Sequence, residues 1–202
     1  KHQHKLYSSK SCSSYSGLLL GKDPTAISTA LSLSENSKSY FLGTQIHGHI
    51  VKLGLTSDIF SQNNLIKMYS KLGVFSYGLN VFDEMLQRNL VSWTLIISGA
   101  IQNGECILGL DIFLHMIRSG LRPNEFTLGS IAKACAIIGT YEFGLCIHSF
   151  ALKIGMEWNL FVISSILNMY AKLGDIGSAE RVFVCMDKLD VGDPISHIQS
   201  IT

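Results

Sequence analysis

The sequence has little proline, little charge and no long apolar run. Three prolines in 202 residues leave almost the whole chain free to form helix. Charged residues make up 15% of the chain and the net charge is +1, which excludes a highly charged coiled coil and neither supports nor excludes nucleic acid as a partner. No run approaches the ~18 apolar residues of a membrane span. Because 47% of the residues are hydrophobic, we expect a folded chain of one or two domains with no membrane partner.

The residue patterns of common catalytic and metal sites are also missing. The five cysteines include no CxxC pair, which argues against a zinc knuckle and suits a reducing compartment. There is no Walker loop, no GxSxG, no HExxH and no zinc-deaminase HxE followed by PCxxC. His47 and His148 lie among apolar neighbours and are interpreted as packing or partly exposed residues. The sequence therefore predicts a protein that is not an enzyme, with no cofactor, no metal site and no small-molecule substrate.

Residues 1–23 differ in composition from the rest of the chain. They are rich in serine and contain four lysines, and the first acidic residue is Asp23. A Ser-rich segment without acids is typical of the end of an organellar transit peptide, and equally of a solvated linker.

A repeat organises the remainder of the chain. Segments 43–55 and 63–73 recur at 144–156 and 164–174, both at an offset of 101 residues. Shorter steps of 31 and 35 residues divide this period, and each contains two helical faces that end at glycine. A hairpin of two short helices buries its apolar faces only by stacking on neighbours, which predicts a solenoid. The glycines expected at helix ends are Gly54, Gly73, Gly104, Gly120, Gly155 and Gly174.

Several short segments have the order and spacing of a known repeat family. They are Val81-Phe82-Asp83-Glu84-Met85, Ser92-Trp93, Gln102-Asn103-Gly104 and Asn168-Met169-Tyr170-Ala171-Lys172-Leu173-Gly174. They resemble the pentatricopeptide repeats of land plants, in the PLS subfamily, which alternates three repeat lengths. The resemblance covers residues 24–190 and implies an all-α, right-handed superhelical solenoid of antiparallel helix-turn-helix repeats.

By this resemblance the chain contains five complete repeats. They are residues 24–58 (long), 59–89 (short), 90–124 (standard), 125–159 (long) and 160–190 (short). Residues 1–23 precede them, and residues 191–202 would open a further repeat that is cut short. The irregular Asp193-Pro194 in that last piece indicates a truncated or frame-altered gene product.

The resemblance implies sequence-selective binding of single-stranded RNA, with one base per repeat recognised by two or three side chains. The fifth and last residues of each repeat are expected to contact the base, and the second residue to pack against it. The expected base-reading pairs are Ser28/Asp58, Asn63/Asn89, Thr94/Asn124, Gly129/Asn159 and Ser164/Asp190. The expected base-packing residues are Phe60, Val91, Phe126 and Phe161, with Thr25 at the same place in the first repeat.

The resemblance also implies base preferences. A fifth-position Thr or Ser is associated with purines, and Asn with pyrimidines. A last-position Asp favours guanine or uracil, and Asn favours adenine or cytosine. Along RNA running 5′ to 3′ in the N-to-C direction of the protein, the five repeats would prefer guanine, a pyrimidine, adenine, any base and guanine.

Other interpretations stay open at this point. Asn and Asp at the last positions are also natural N-caps, and the second residues also begin the apolar stripe of each first helix. The expected partners are single-stranded organellar RNA and RNA-editing or RNA-processing proteins, in the mitochondrion or alternatively the chloroplast. The competing hypotheses are a helical-repeat scaffold for protein–protein interaction and a truncated gene product without activity.

Overall fold

The computed structural model describes the backbone of residues 23–191 and the side chains of residues 23–184. Over this part of the chain there are ten α-helices and no strand, which confirms the all-α prediction. The helices are α1 (Pro24–Asn36), α2 (Tyr40–Lys52), α3 (Ile59–Lys71), α4 (Phe75–Glu84), α5 (Leu90–Gln102), α6 (Cys106–Arg118), α7 (Glu125–Ile138), α8 (Tyr141–Lys153), α9 (Leu160–Leu173) and α10 (Ile176–Val191). The expectations for residues 1–22 and 192–202 lie outside the described residues.

Each predicted repeat contains two of these helices, and the apolar spacing explains how they pair. Leu65, Ile66 and Tyr69 form a buried face on α3, and Val81 and Phe82 form the buried face of α4 that packs on it. Their spacing of one, three and four residues keeps the side chains on one side of each helix. A short turn joins the two helices, so the pair is an antiparallel hairpin.

The chain divides into two compact units, residues 1–92 and residues 93–202. In the described part of the first unit, α1 packs on α2 and α3, and α3 packs on α2 and α4. In the second unit, α7 packs on α6, α8 and α9, and α9 packs on α8 and α10. First helices of successive repeats therefore contact each other within each unit, as stacked hairpins require.

All six glycines predicted at helix ends lie there in left-handed backbone, which confirms the prediction. Gly73 has a φ of 76° and directly follows Leu72, the C-cap residue of α3, where a side chain would strain the turn. Gly139, which ends α7 with a φ of 80°, is a seventh such glycine that the repeat pattern did not indicate.

Two helix-interior glycines allow close packing between a predicted long repeat and the predicted short repeat that follows it. A methyl group added at Gly43 on α2 would lie 2.7 Å from Met68 Sδ on α3. At the position 101 residues later, a methyl group added at Gly144 on α8 would lie 3.0 Å from Met169 Sδ on α9. The recurrence of glycine and methionine at this offset therefore reflects one packing contact that is used twice.

The last predicted repeat, residues 160–190, ends inside a helix. Asp190 lies within α10, which spans Ile176–Val191. In the equivalent short repeat, the Arg88 side chain donates to the carbonyls of Phe82 and Asp83 and lies over the Phe82 ring, which satisfies the end of α4. The residue 101 positions after Arg88 is Leu189, whose side chain carries no hydrogen-bond donor.

Candidate functional site

The last residues of four predicted repeats cap the first helix of the next repeat. Asp58 Oδ2 accepts from the Ser61 N–H at 2.8 Å, Asn89 Oδ1 from Ser92 at 2.9 Å, and Asn124 Oδ1 from Thr127 at 2.9 Å. Asn159 Oδ1 accepts from both Phe161 and Val162. The N-cap interpretation of these four residues is therefore correct, and each cap holds the carboxylate or amide group at the N-terminus of a helix. The side chain of Asp190 lies outside the described residues.

The fifth and last residues meet in the repeat 59–89. Asn63 Nδ2 lies 3.5 Å from Asn89 Oδ1, which also accepts from the Ser92 backbone N–H and hydroxyl. The Asn63 side chain is only 8% exposed, and its Oδ1 is buried without a hydrogen-bond partner among the described residues. An unmatched buried acceptor costs about 1–3 kcal/mol, which a donor from outside the chain would recover once a rotation of the Asn63 side chain exposed this oxygen.

The fifth and last residues also meet in the repeat 90–124. The Thr94 hydroxyl lies 3.4 Å from Asn124 Oδ1 and 3.0 Å from the Thr127 hydroxyl. Thr127 in turn donates both its N–H and its hydroxyl to Asn124 Oδ1. The three side chains form one hydrogen-bonded cluster at the start of α7.

In the other three predicted pairs the fifth residue has a different neighbour. The Ser28 hydroxyl donates to Asn64 Oδ1 at 3.4 Å, and Ser164 donates to the Leu160 carbonyl of its own helix. Gly129 has no side chain, and the Phe161 ring lies where one would be. Among the four predicted pairs whose residues are both described, the structure therefore brings together two, Asn63/Asn89 and Thr94/Asn124.

The second residues of four repeats are about half exposed. These residues are Phe60, Val91, Phe126 and Phe161. The third residues, in contrast, are almost completely buried; they are Ser61, Ser92, Thr127 and Val162. The core stripe of each first helix therefore begins at the third residue, and the second residue offers an apolar surface at the capped helix end.

Hydroxyl groups that were not among the predicted site residues connect neighbouring first helices. Ser98 on α5 and Ser130 on α7 are joined by a hydrogen bond of 2.8 Å, close to the bond between Thr94 and Thr127. The signal for these residues in the sequence is weak, because Ser and Thr in a helix bond equally well to their own backbone.

The two repeated histidines each bind a tyrosine on the next repeat. His47 Nδ1 lies 2.8 Å from the Tyr69 hydroxyl, and His148 Nδ1 lies 3.0 Å from the Tyr170 hydroxyl. Burial lowers the pKa of both histidines and raises the pKa of Tyr69 to about 12. Both histidines therefore pack against a tyrosine, as expected, and burial favours their neutral form.

The described residues offer neither a metal centre nor a membrane span. Among them, no three His, Cys, Asp or Glu side chains are grouped so that they could hold a metal ion. None of the described helices is long and apolar enough to cross a membrane.

Comparison with known proteins relates the chain to one family. The PPR repeat model matches residues 63–90, 91–121 and 161–191. Three pentatricopeptide repeat-containing proteins of Arabidopsis thaliana are similar to the chain. One is 35% identical over 85% of the chain, one named mitochondrial is 39% identical over 81%, and one named chloroplastic is 34% identical over 76%. These alignments cover 24%, 18% and 25% of the relatives, so the chain spans a quarter of their length or less.

Solved structures show the same fold. The maize pentatricopeptide repeat protein PPR10 superposes with a TM-score of 0.65 at 16% identity, over 84% of this chain and 25% of PPR10. PPR10 in complex with an 18-nt psaJ RNA element gives a TM-score of 0.64 at 14% identity, over 84% of this chain and 26% of that protein.

Proposed function

This chain carries pentatricopeptide repeats, and we propose that they bind single-stranded RNA, each repeat contacting one base through its fifth and last residues. The observation that carries the proposal is the meeting of Asn63 with Asn89 and of Thr94 with Asn124. Each pair lies at a capped helix N-terminus, close in sequence to a half-exposed apolar second residue. Hydrogen-bonding groups beside an apolar surface suit a base, which has a polar edge and an apolar face.

Capping gives a physical reason why Asn and Asp would select different bases. Asn124 Oδ1 accepts from Thr127 N–H, from the Thr127 hydroxyl and from the Thr94 hydroxyl. With this oxygen saturated, the group that Asn124 offers to a ligand is its Nδ2–H donor. That donor matches the ring acceptors N1 of adenine and N3 of cytosine.

Asp58 offers the opposite chemistry. One carboxylate oxygen caps Ser61, and the other oxygen acts only as an acceptor. An acceptor matches the ring N–H of guanine or uracil. The same cap thus presents a donor when the residue is Asn and an acceptor when it is Asp.

The pair Asn63/Asn89 combines both kinds of group. Asn89 Oδ1 is saturated in the same way as Asn124, which leaves its Nδ2–H as a donor. The buried Oδ1 of Asn63 is an acceptor without a partner among the described residues. A donor beside an acceptor complements the N3 and N4–H of cytosine, which agrees with the pyrimidine expected from the resemblance.

We further propose that the protein is a PLS-type specificity factor for RNA editing or processing, acting with editing or processing proteins. The family matches at 63–90, 91–121 and 161–191 overlap the predicted short and standard repeats and leave the predicted long repeats 24–58 and 125–159 unmatched, which supports an alternation of repeat types. Relatives named mitochondrial and chloroplastic support an organelle, and we propose the mitochondrion, with the chloroplast as the alternative. No reaction of the chain itself belongs to this proposal.

The proposal is tested by fluorescence anisotropy with the chain and labelled oligonucleotides. We expect binding to single-stranded RNA that contains guanine, cytosine, adenine, any base and guanine in this order. A shuffled RNA of the same composition, the double-stranded RNA and the single-stranded DNA serve as controls and should bind more weakly. Equal binding of the ordered and the shuffled RNA would contradict base selection, and the absence of binding to any RNA would contradict the function altogether.

A further inference from the structure

The second long repeat, residues 125–159, has an aromatic pair where its base contact is expected. The Phe126 and Phe161 rings lie 5.4 Å apart, centroid to centroid, with an angle of 57° between their planes. Both side chains remain about half exposed. The pair therefore lies at the surface in direct ring-to-ring contact.

Gly129 is what allows the Phe161 ring to take this place. A methyl group added at Gly129 would lie 2.6 Å from Phe161 Cε1 and 3.0 Å from Ser165 Oγ. A fifth-position side chain and the ring in its present position therefore exclude each other, because carbon atoms in contact lie about 3.5–4.0 Å apart.

The first long repeat is an internal control for this arrangement. At the offset of 101 residues, Ser28 corresponds to Gly129, and Phe60 to Phe161. Thr25 corresponds to Phe126, so the first long repeat has only one ring. Ser28 keeps its side chain on the helix surface and donates to Asn64. The same scaffold thus occurs with a fifth-position hydroxyl and without an aromatic pair.

We propose that Phe126 and Phe161 close the base position of repeat 125–159, so that bound RNA crosses this repeat without a base between the rings. A base stacked between two rings needs roughly 7–8 Å between their planes, twice a contact distance. Rings with centroids 5.4 Å apart leave no such space. The inference rests on the proposed RNA binding and adds that this repeat spaces the contacts of its neighbours.

A repeat whose base position is closed differs in a measurable way from a repeat that holds a base but does not select between the four bases. A base held between rings contributes stacking, whose loss weakens binding roughly 5- to 150-fold. We therefore expect an abasic ribose opposite repeat 125–159 to change the affinity of the chain by less than about twofold. The matched control is an abasic ribose opposite repeat 90–124, which should weaken binding at least several-fold. A comparable loss at both positions would overturn the closed position.

A second measurement tests the ring contact without RNA. In the free chain with labelled phenylalanines, we expect a nuclear Overhauser effect between the ring protons of Phe126 and Phe161. It should disappear in Gly129→Ser, whose side chain needs the space of the Phe161 ring. Absence of the effect in the unsubstituted chain would overturn the inference. If no RNA binds, or if abasic sites have no effect anywhere, the proposed function fails and this measurement still decides whether the rings are closed.

Exchange between the two long repeats gives the sharpest variants. Phe126→Thr with Gly129→Ser copies the first long repeat into the second, and we expect base dependence to appear there, with adenine preferred because the last residue is Asn159. The reverse exchange, Thr25→Phe with Ser28→Gly, should abolish base dependence at the first repeat. Circular dichroism and thermal unfolding check that both variants fold. If folded variants leave base dependence unchanged at both repeats, the rings do not control access.

Discussion

Asn124 has two roles that one substitution separates. Its Oδ1 caps α7, and its Nδ2–H is the proposed donor to adenine. In Asn124→Asp a carboxylate oxygen accepts the same three hydrogen bonds, and a negative charge at a helix N-terminus is favourable by about 0.3–1 kcal/mol. We therefore expect the free energy of unfolding to stay the same or to rise slightly, while the group offered to the base changes from a donor to an acceptor.

The expected change in specificity follows from the number of hydrogen bonds. Asn124→Asp loses one bond to adenine and gains one to guanine, and each is worth about 0.5–1.5 kcal/mol net. The ratio of adenine to guanine affinities should therefore shift toward guanine by roughly 5- to 150-fold. The added charge weakens all RNA binding to a similar extent through phosphate repulsion, so the ratio is the quantity to compare.

The measurement is fluorescence anisotropy with two RNAs that differ only in adenine or guanine opposite repeat 90–124, alongside urea unfolding. Asn159→Asp is the matched control, because it places the same charge at an equivalent cap, and its fifth-position partner is Gly129. We expect that control to leave the ratio unchanged. If Asn124→Asp folds normally and still prefers adenine as strongly as before, the residue caps α7 and does not contact the base.

Three further predictions concern specificity and stability. Thr94→Asn with Asn124→Asp should move the preference from adenine toward uracil, and a preference that stays with adenine in the anisotropy assay would contradict the assigned register. Burial lowers the pKa of His47 and His148, so below about pH 6.5 the unfolded chain binds protons that the folded chain does not. The urea concentration at the midpoint of unfolding should therefore fall between pH 7.5 and pH 5.5. The fall should be less steep when both histidines are replaced by Gln. Arg88→Leu removes two hydrogen bonds and a cation–π contact at the end of α4, so the free energy of unfolding should drop by about 1–2 kcal/mol in urea titrations, and an unchanged midpoint would show that α4 ends for another reason.

The helices could be predicted from the sequence because glycine punctuates them at regular intervals. Gly73 and Gly174 lie at the same place in two short repeats, and both end a first helix in left-handed backbone. The end of α4 could not be predicted from spacing alone, because Arg88 donates to the carbonyls of Phe82 and Asp83 there, and the residue 101 positions later is Leu189. The repeat spacing predicts the end of a helix only where the interaction that ends the helix is also repeated.

Less of the candidate site than of the helices could be predicted from the sequence. Four last residues could be recognised as possible caps from their type and place, and the structure shows these caps. Which neighbour each hydroxyl binds could not be predicted, since Ser28 donates to Asn64 and Ser164 donates to its own helix. Several acceptors lie within reach of one hydroxyl, and small differences in rotamer decide between them. That these residues contact bases stays a prediction.

The packing of Gly43 on Met68 and of Gly144 on Met169 has a consequence for how such repeats can be recombined. Both contacts join a long repeat to the short repeat after it, and the histidine–tyrosine bonds join the same two partners. A long repeat placed before a repeat without the methionine would face a gap beside its glycine. In a long repeat without the glycine, the side chain at that position would clash with the methionine of the repeat that follows. The helices α1–α4 and the helices α7–α10 are therefore the segments to exchange whole in an engineered array, because cutting after α2 or α8 would separate surfaces that fit each other.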